Sequence, residues 1–201
     1  MVYITPSLLL DLRSEMDAAL SVDLVTNKAT IDITAVKNQC PLLLSTLKES
    51  LRFRGMGTAV RVVTKDTDVD GYLLKKGALV QVPIQVAHSD QDFWGTNADS
   101  FSPRRFMKDG KSKKGANKVP DDTGYRSFGG GKHLCPSRFF ATNEILAVVA
   151  LFVTRYEMRP ADGGEWKLPT TFHSNAAAQV AQPDFELDME VSNRADFEHY
   201  T

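Results

Sequence analysis

The sequence predicts a mainly α chain with small β-sheets, an α+β fold. Three observations carry that prediction. Leu8, Leu9, Leu12, Met16 and Leu20 recur at helical spacing, and a second leucine-dense run follows Pro41. The apolar stretch from Ile145 to Val153 has the length of a buried helix and is too short to span a bilayer. Between these segments, Ala59–Val63 and Ala78–Val82 switch to the period of two that marks strands.

Thr5-Pro6 opens the first helix, with Thr5 as the expected cap and Pro6 at the first helical position. Ser21 to Gln39 reads as a loop with a short helix around Thr34–Asn38. Pro41 opens the next helix, through Leu42, Leu43, Leu47, Leu51 and Phe53. Asp70-Gly71 and Lys76-Gly77 supply turns around the strands. From Asp90 the chain reads as loop, and Lys108, Lys111, Lys113, Lys114 and Lys118 read as a solvated insertion rather than a docking patch. Pro136 is expected to begin a long helix running to about Val153, apolar around most of its circumference and therefore central. Phe139 and Phe140 lie on it, open to core packing or ligand contact. In the tail, Phe185, Leu187, Met189 and Val191 alternate like a strand. His88, His173 and His199 read as loop or surface residues.

The composition is that of a soluble globular chain, 42% hydrophobic and 24% charged over 201 residues, enough for one domain spanning 1–201. A net charge of −1 offers no attraction for nucleic acid. With two cysteines, Cys40 and Cys135, a disulfide scaffold is not indicated. No transmembrane run, signal peptide or internal repeat is visible, and no Gly-x-Gly-x-x-Gly or Walker motif indicates direct dinucleotide binding.

The most informative stretch is Phe128-Gly-Gly-Gly-Lys-His-Leu-Cys-Pro-Ser-Arg138. Consecutive glycines let backbone approach a flat ligand closely. The following Cys135 would sit at a helix N-terminus, where the macrodipole favours a thiolate. A thiolate against such a loop suits the proximal side of a haem iron. Taken alone, Cys135 would ordinarily be a buried free thiol. Two further motifs change that weighting. Glu49 and Arg52 share one helix face, a pair that in isolation would be a surface ion pair. Downstream lies Phe101-Ser-Pro-Arg-Arg-Phe106, which brings Arg105 into consideration as a third member.

These three motifs, in this order, resemble those of the cytochrome P450 superfamily. Phe128, Gly131, His133 and Cys135 match its haem loop, and Ser137 stands where the family usually has glycine. Glu49, Arg52 and Arg105 match its Glu-x-x-Arg pair and the arginine of its Pro-x-Arg-Phe segment, a network expected to lock the cysteine loop beneath the haem. The resemblance covers roughly residues 5–191 and looks more like a fungal member than a bacterial one. It implies the C-terminal, haem-binding half of the P450 fold, with Cys135 as iron ligand. Arg61 and His133 are expected to reach the haem propionates, and residues 53–58 to line a substrate pocket. Thr170–Ala178 is expected to turn back towards that pocket.

The implied activity is that of a haem-thiolate monooxygenase acting on a small organic molecule, with electrons from an NADPH-dependent reductase. The family's acid–alcohol helix and membrane anchor would precede this sequence, so the chain is expected neither to hold haem firmly nor to turn over alone. Eukaryotic members are usually anchored to the endoplasmic reticulum membrane. The alternatives are an inactive relic of such an enzyme, or a haem-thiolate isomerase or dehydratase acting on oxygenated lipids. A non-enzymatic domain using Cys135 for packing or zinc is a further reading, and zinc is disfavoured because Cys135 has no second ligand at zinc spacing.

Overall fold

Four helices build the core, and each is set by apolar spacing. The computed structural model describes residues 1–23, 25, 28–107, 124–172 and 182–195. Helix α1, Pro6–Ala19, buries Leu8, Leu9, Leu12, Met16 and Ala19 along one stripe. Thr5 occupies the cap position, but its side chain makes no capping bond there. The pre-organised φ of Pro6 starts this helix instead.

The segment expected to be mostly loop holds a hairpin. Strand β1, Leu20–Asp23, pairs antiparallel with β2, Lys28–Ile31, in the register Leu20 opposite Ile31 and Asp23 opposite Lys28. Burial alternates along both strands, so the pattern was present but short. Helix α2, Ile33–Gln39, follows; the Asp32 carboxylate accepts a 2.8 Å hydrogen bond from the Thr34 amide and caps it.

Helix α3, Pro41–Arg54, is capped from another element. The Glu15 carboxylate, on α1, accepts hydrogen bonds from the amides of Leu42 (2.7 Å) and Leu43 (3.0 Å). This satisfies two of the amides that a helix leaves unpaired at its start. After α3 come β3 (Thr58–Val62), β4 (Thr67–Val69), β5 (Tyr72–Leu74) and β6 (Leu79–Pro83). The β3–β6 pair is antiparallel, from Thr58 opposite Pro83 to Val62 opposite Leu79. The β4–β5 turn places Asp70 and Gly71 at φ 52° and 83°, the double left-handed geometry of a tight hairpin.

Two short helices follow, α4 (Ile84–Ser89) and α5 (Gln91–Trp94), and α5 lies in the region read from Asp90 as loop. Asp90 caps α5 through a 2.9 Å bond from the Asp92 amide. His88, expected at the surface, is 1% exposed. The lysine-rich run from 108 to 118 lies outside the described residues, as do His173, His199 and most of the expected turn at 170–178.

Helix α6 runs Arg138–Arg155, with Ser137 at its cap position, so Pro136 lies before the helix rather than opening it. Cys135 therefore stands three residues ahead of the first helical residue. The expectation of a helix buried on most sides is also corrected. Only Leu146, Ala150, Val153 and Thr154 are buried, a single stripe facing α1, α2 and α3. Phe139 and Phe140 are exposed and belong to no core. Cations cover Phe139 instead, with the Arg138 guanidinium 4.2 Å and the Lys37 ammonium 5.7 Å from its ring centre.

The helix ends in β7, Tyr156–Pro160, which pairs antiparallel with β10, Met189–Asn193. The tail strand thus begins at Met189, and Phe185 and Leu187 precede it. Between them, β8 (Thr171–Phe172) pairs with β9 (Gln182–Pro183). Among the described residues all sheets are two-stranded and antiparallel, and Leu12, Met16, Val36, Leu43, Leu146 and Val153 centre the helical core. No described helix is long and apolar enough to cross a membrane.

Candidate functional site

The site has two parts, a buried charge cluster and a cavity beside the cysteine loop. In the cluster, Glu49 is fully buried and Arg52 is 3% exposed, both on α3. Arg52 clasps the carboxylate bidentately, Nε to Oε2 at 2.8 Å and Nη2 to Oε1 at 2.9 Å. Its remaining N–H groups donate to the carbonyls of His88 (2.6 Å), Ala98 (2.8 Å) and Ser100 (3.2 Å). Arg105 reaches the same carboxylate through Nε, 3.1 Å from each oxygen. Its other donors go to Trp94 O, Asn97 Oδ1, Asn97 O and Ser100 O. The Ser102 amide donates to Glu49 Oε1 at 2.8 Å.

Every N–H of both guanidinium groups thus has a partner, which is the condition for burying charge without leaving it uncompensated. The surface-pair reading of Glu49 and Arg52 is set aside by this burial. Arg104, next to Arg105 in sequence, instead makes a surface pair with Asp11 at 2.6 Å, both about half exposed. The segment is a pair of consecutive turns, closed by Arg105 N to Ser102 O and Met107 N to Arg104 O at 3.0 Å each, and the two neighbouring arginines leave it in different directions.

A cavity of about 470 Å³ lies between the start of β3 and the cysteine loop. Gly55, Met56, Gly57, Thr58, Val60 and Arg61 line one side, and Phe128, Gly129, His133 and Cys135 the other. The structure thus gathers four of the sequence-predicted cofactor residues, Phe128, His133, Cys135 and Arg61, around one space. Residues 55–58, expected beside a pocket, line it too. Gly131 is not among the lining residues; its φ of 60° opens the 3₁₀ turn Gly131–His133. Arg61 is exposed, and its Nη1 donates 2.7 Å to the Val60 carbonyl.

The loop is held by its own backbone. The Cys135 amide donates to Phe128 O at 3.0 Å, and the Gly129 amide to Arg126 O at 2.9 Å. Gly129 adopts φ 83°, open to glycine and strained for other residues. The Cys135 carbonyl accepts 3.1 Å from Arg138 Nη1. The two free cysteines differ in setting. Cys40 is buried, and burial followed by the Glu15 charge pushes its thiol up to about 11, while Cys135 is half-buried at the cavity. The packing-thiol reading therefore suits Cys40.

Sequence reasoning missed His88. Its Nδ1 lies 3.1 Å from Arg52 O, and its Nε2 lies 2.9 Å from the Arg126 amide. Tyr125 stacks on the ring at 5.8 Å, and Trp94 meets it edge-on at 5.9 Å. Burial, the largest cause, pushes its pKa down to about 4. No periodicity marks His88 in a helix as short as α4.

Among the described residues, no three His, Cys, Asp or Glu side chains gather as a metal-ligand set. Cys135 is a lone soft donor in a cavity partly walled by glycine. That donor set fits an iron whose equatorial ligands arrive with a flat macrocycle.

The profile of the cytochrome P450 family matches residues 5–185. Among curated relatives, cytochrome P450 monooxygenase nodJ of Hypoxylon pulicicidum is 36% identical over 98% of this chain and 39% of its own length. A cytochrome P450 monooxygenase of Gibberella zeae is 30% identical over 94% of this chain and 37% of its own length. Cytochrome P450 monooxygenase calL of Penicillium decumbens is 32% identical over 88% of this chain and 33% of its own length. The chain thus spans under two fifths of the length of these relatives. All three are fungal and are named as monooxygenases, which are oxidoreductases, and the family is haem-dependent. Because the match runs from residue 5 to residue 185 and includes every residue of the cavity, this chain belongs to the cytochrome P450 family.

Proposed function

We propose that this chain is the C-terminal, haem-binding half of a haem-thiolate monooxygenase, and that Cys135 is the iron ligand. The observation that carries the reading is the shared cavity: Cys135, His133, Arg61 and Phe128 line it although up to 74 sequence positions separate them. Haem, when bound, supplies the oxygen-activating chemistry by which one atom of O2 enters an organic substrate and the other leaves as water.

The chain's residues have distinct tasks in this reading. Cys135 donates its thiolate to the metal and tunes it electronically. Arg61 and His133 hold the carboxylates on the haem's edge. Gly129 keeps the loop backbone free of a side chain where the ring approaches, and Gly131 gives the loop its next turn. Glu49, Arg52 and Arg105 fix the floor on which that loop rests. The substrate is a small organic molecule, and electrons come from an NADPH-dependent reductase. The endoplasmic reticulum membrane is the setting in which such a reductase and a fungal member would meet.

The test is the carbon-monoxide difference spectrum of the reduced chain produced with added haem. A Soret band of the thiolate-ligated type is expected, lost in Cys135→Ser with the helical circular dichroism retained. The same band in Cys135→Ser would remove the ligand assignment, and loss of bound zinc in that variant would overturn the haem reading.

A further inference from the structure

The buried charge cluster and the cysteine loop are separate in sequence, and one imidazole bridges them. The Nε2 atom of His88 faces a backbone N–H, that of Arg126, at 2.9 Å and must accept from it. In a neutral ring the proton then resides on Nδ1, which donates to the Arg52 carbonyl at 3.1 Å. Burial, with a pKa pushed down to about 4, keeps the ring in that neutral form. The position is doubly anchored, because the His88 carbonyl itself accepts 2.6 Å from Arg52 Nη1. On the far side, Arg126 O accepts from the Gly129 amide, and Phe128, two residues on, accepts from the Cys135 amide.

We propose that His88 is a positioning residue for Cys135, an Nδ1–H imidazole that ties the Arg52 carbonyl to the Arg126 amide and so sets the cysteine loop over the cavity. The inference rests on the reading of Cys135 as the haem ligand. The bond that matters most is the one to Arg126, because it joins the loop backbone itself to His88, beside the ring contacts of Tyr125 with His88 and Phe106. An aromatic ring between Tyr125 and Trp94 could instead serve packing alone, and the two roles separate by substitution.

Three variants of the full chain discriminate. Gln places an acceptor at the reach of Nε2 and keeps the link to Arg126. Asn places a donor at the reach of Nδ1 and keeps only the link to Arg52. Phe keeps the aromatic stacking and neither hydrogen bond. Amide hydrogen exchange in the haem-free chain reads the loop directly, with Leu12 and Ala150 amides as the check on the core. Exchange at Arg126, Gly129 and Cys135 is expected to accelerate about tenfold or more in His88→Phe and His88→Asn, and to stay within about threefold of wild type in His88→Gln. In the haem-loaded chain, the share of thiolate-type carbon-monoxide spectrum should follow the same order.

Wild-type loop protection in His88→Phe overturns the proposal, as does a His88→Gln variant no better protected than His88→Asn. Because exchange is read without haem, these outcomes are distinct from a wild-type chain that shows no thiolate spectrum, which would count against the Cys135 reading itself.

Discussion

Arg105 Nε lies 3.1 Å from both carboxylate oxygens of Glu49, across 56 positions of sequence. The bond closes a three-residue cluster with Arg52 and fastens the loop after α5 to the middle of α3. The donors of both arginines fan out to the carbonyls of residues 88, 94, 97, 98 and 100, so the cluster organises backbone as much as it pairs charge.

Removing Glu49 leaves two buried guanidinium groups without their counter-ion. Glu49→Ala is expected to destabilise the chain by about 3–5 kcal/mol, whereas Arg104→Ala, at the surface pair with Asp11, should cost about 0–1 kcal/mol. Urea unfolding monitored by circular dichroism checks the ranking. Haem retention should fall further in Glu49→Ala and Arg52→Ala than in Arg104→Ala, and equal losses in all three would remove the case for a specific cluster.

Two neighbouring glycines should respond differently to alanine. Gly129 adopts φ 83°, and an added Cβ would stand 3.4 Å from the His133 carbonyl oxygen. Gly130 is extended at φ −170°, and its added Cβ would meet only the movable end of the Arg126 side chain. Gly129→Ala should therefore cost about 1–2 kcal/mol and loosen the loop. Gly130→Ala should cost less. Thermal unfolding with loop amide exchange separates them.

Ser137, where the family usually carries glycine, has φ −84° and ψ 8°, is exposed, and makes no side-chain capping bond. Nothing in that geometry demands glycine. Ser137→Gly is expected to change stability by only a few tenths of a kcal/mol. A large gain in haem retention in this variant would show that the hydroxymethyl group obstructs the site.

Stability should fall in mild acid. Burial, and then the Arg52 charge, lower the His88 pKa from 6.5 to about 4, against the pull of the Arg52 carbonyl and the Glu49 carboxylate. Tyr125, stacked on the ring, is neutral throughout this range, its phenol raised further by burial to about 12. Between these limits the unfolded chain binds a proton at His88 that the folded chain does not, so stability rises with pH there. The contribution is complete above about pH 6.5 and is lost as pH falls towards 4, on the order of 2 kcal/mol by pH 5. Unfolding free energies at pH 7 and pH 5 measure it, and His88→Gln should show a smaller difference between the two.

Much of the architecture was legible because its determinants are local. Leucine spacing in α1 and α3, the prolines that open both, and the alternation in β3 and β6 each lie within a few residues of what they specify. The β1–β2 hairpin escaped because four-residue strands carry too few alternations to stand out from a polar loop. At α6 the composition was read correctly and the burial was not: hydrophobicity says that a face can be covered, and only the neighbours decide whether it is.

The sequence by itself determined the family, through the order of the Glu49–Arg52, Arg105 and Phe128–Cys135 motifs, because each depends on residue identity at fixed spacing. Only the tertiary structure decided that Arg105 turns inward while Arg104 turns out, that Gly131 shapes the turn without lining the cavity, and that His88 joins the two halves of the site. These depend on which backbone carbonyls and amides are left unpaired in the folded interior. Folding brings those groups together from distant segments, and no local pattern records which side chain will meet them.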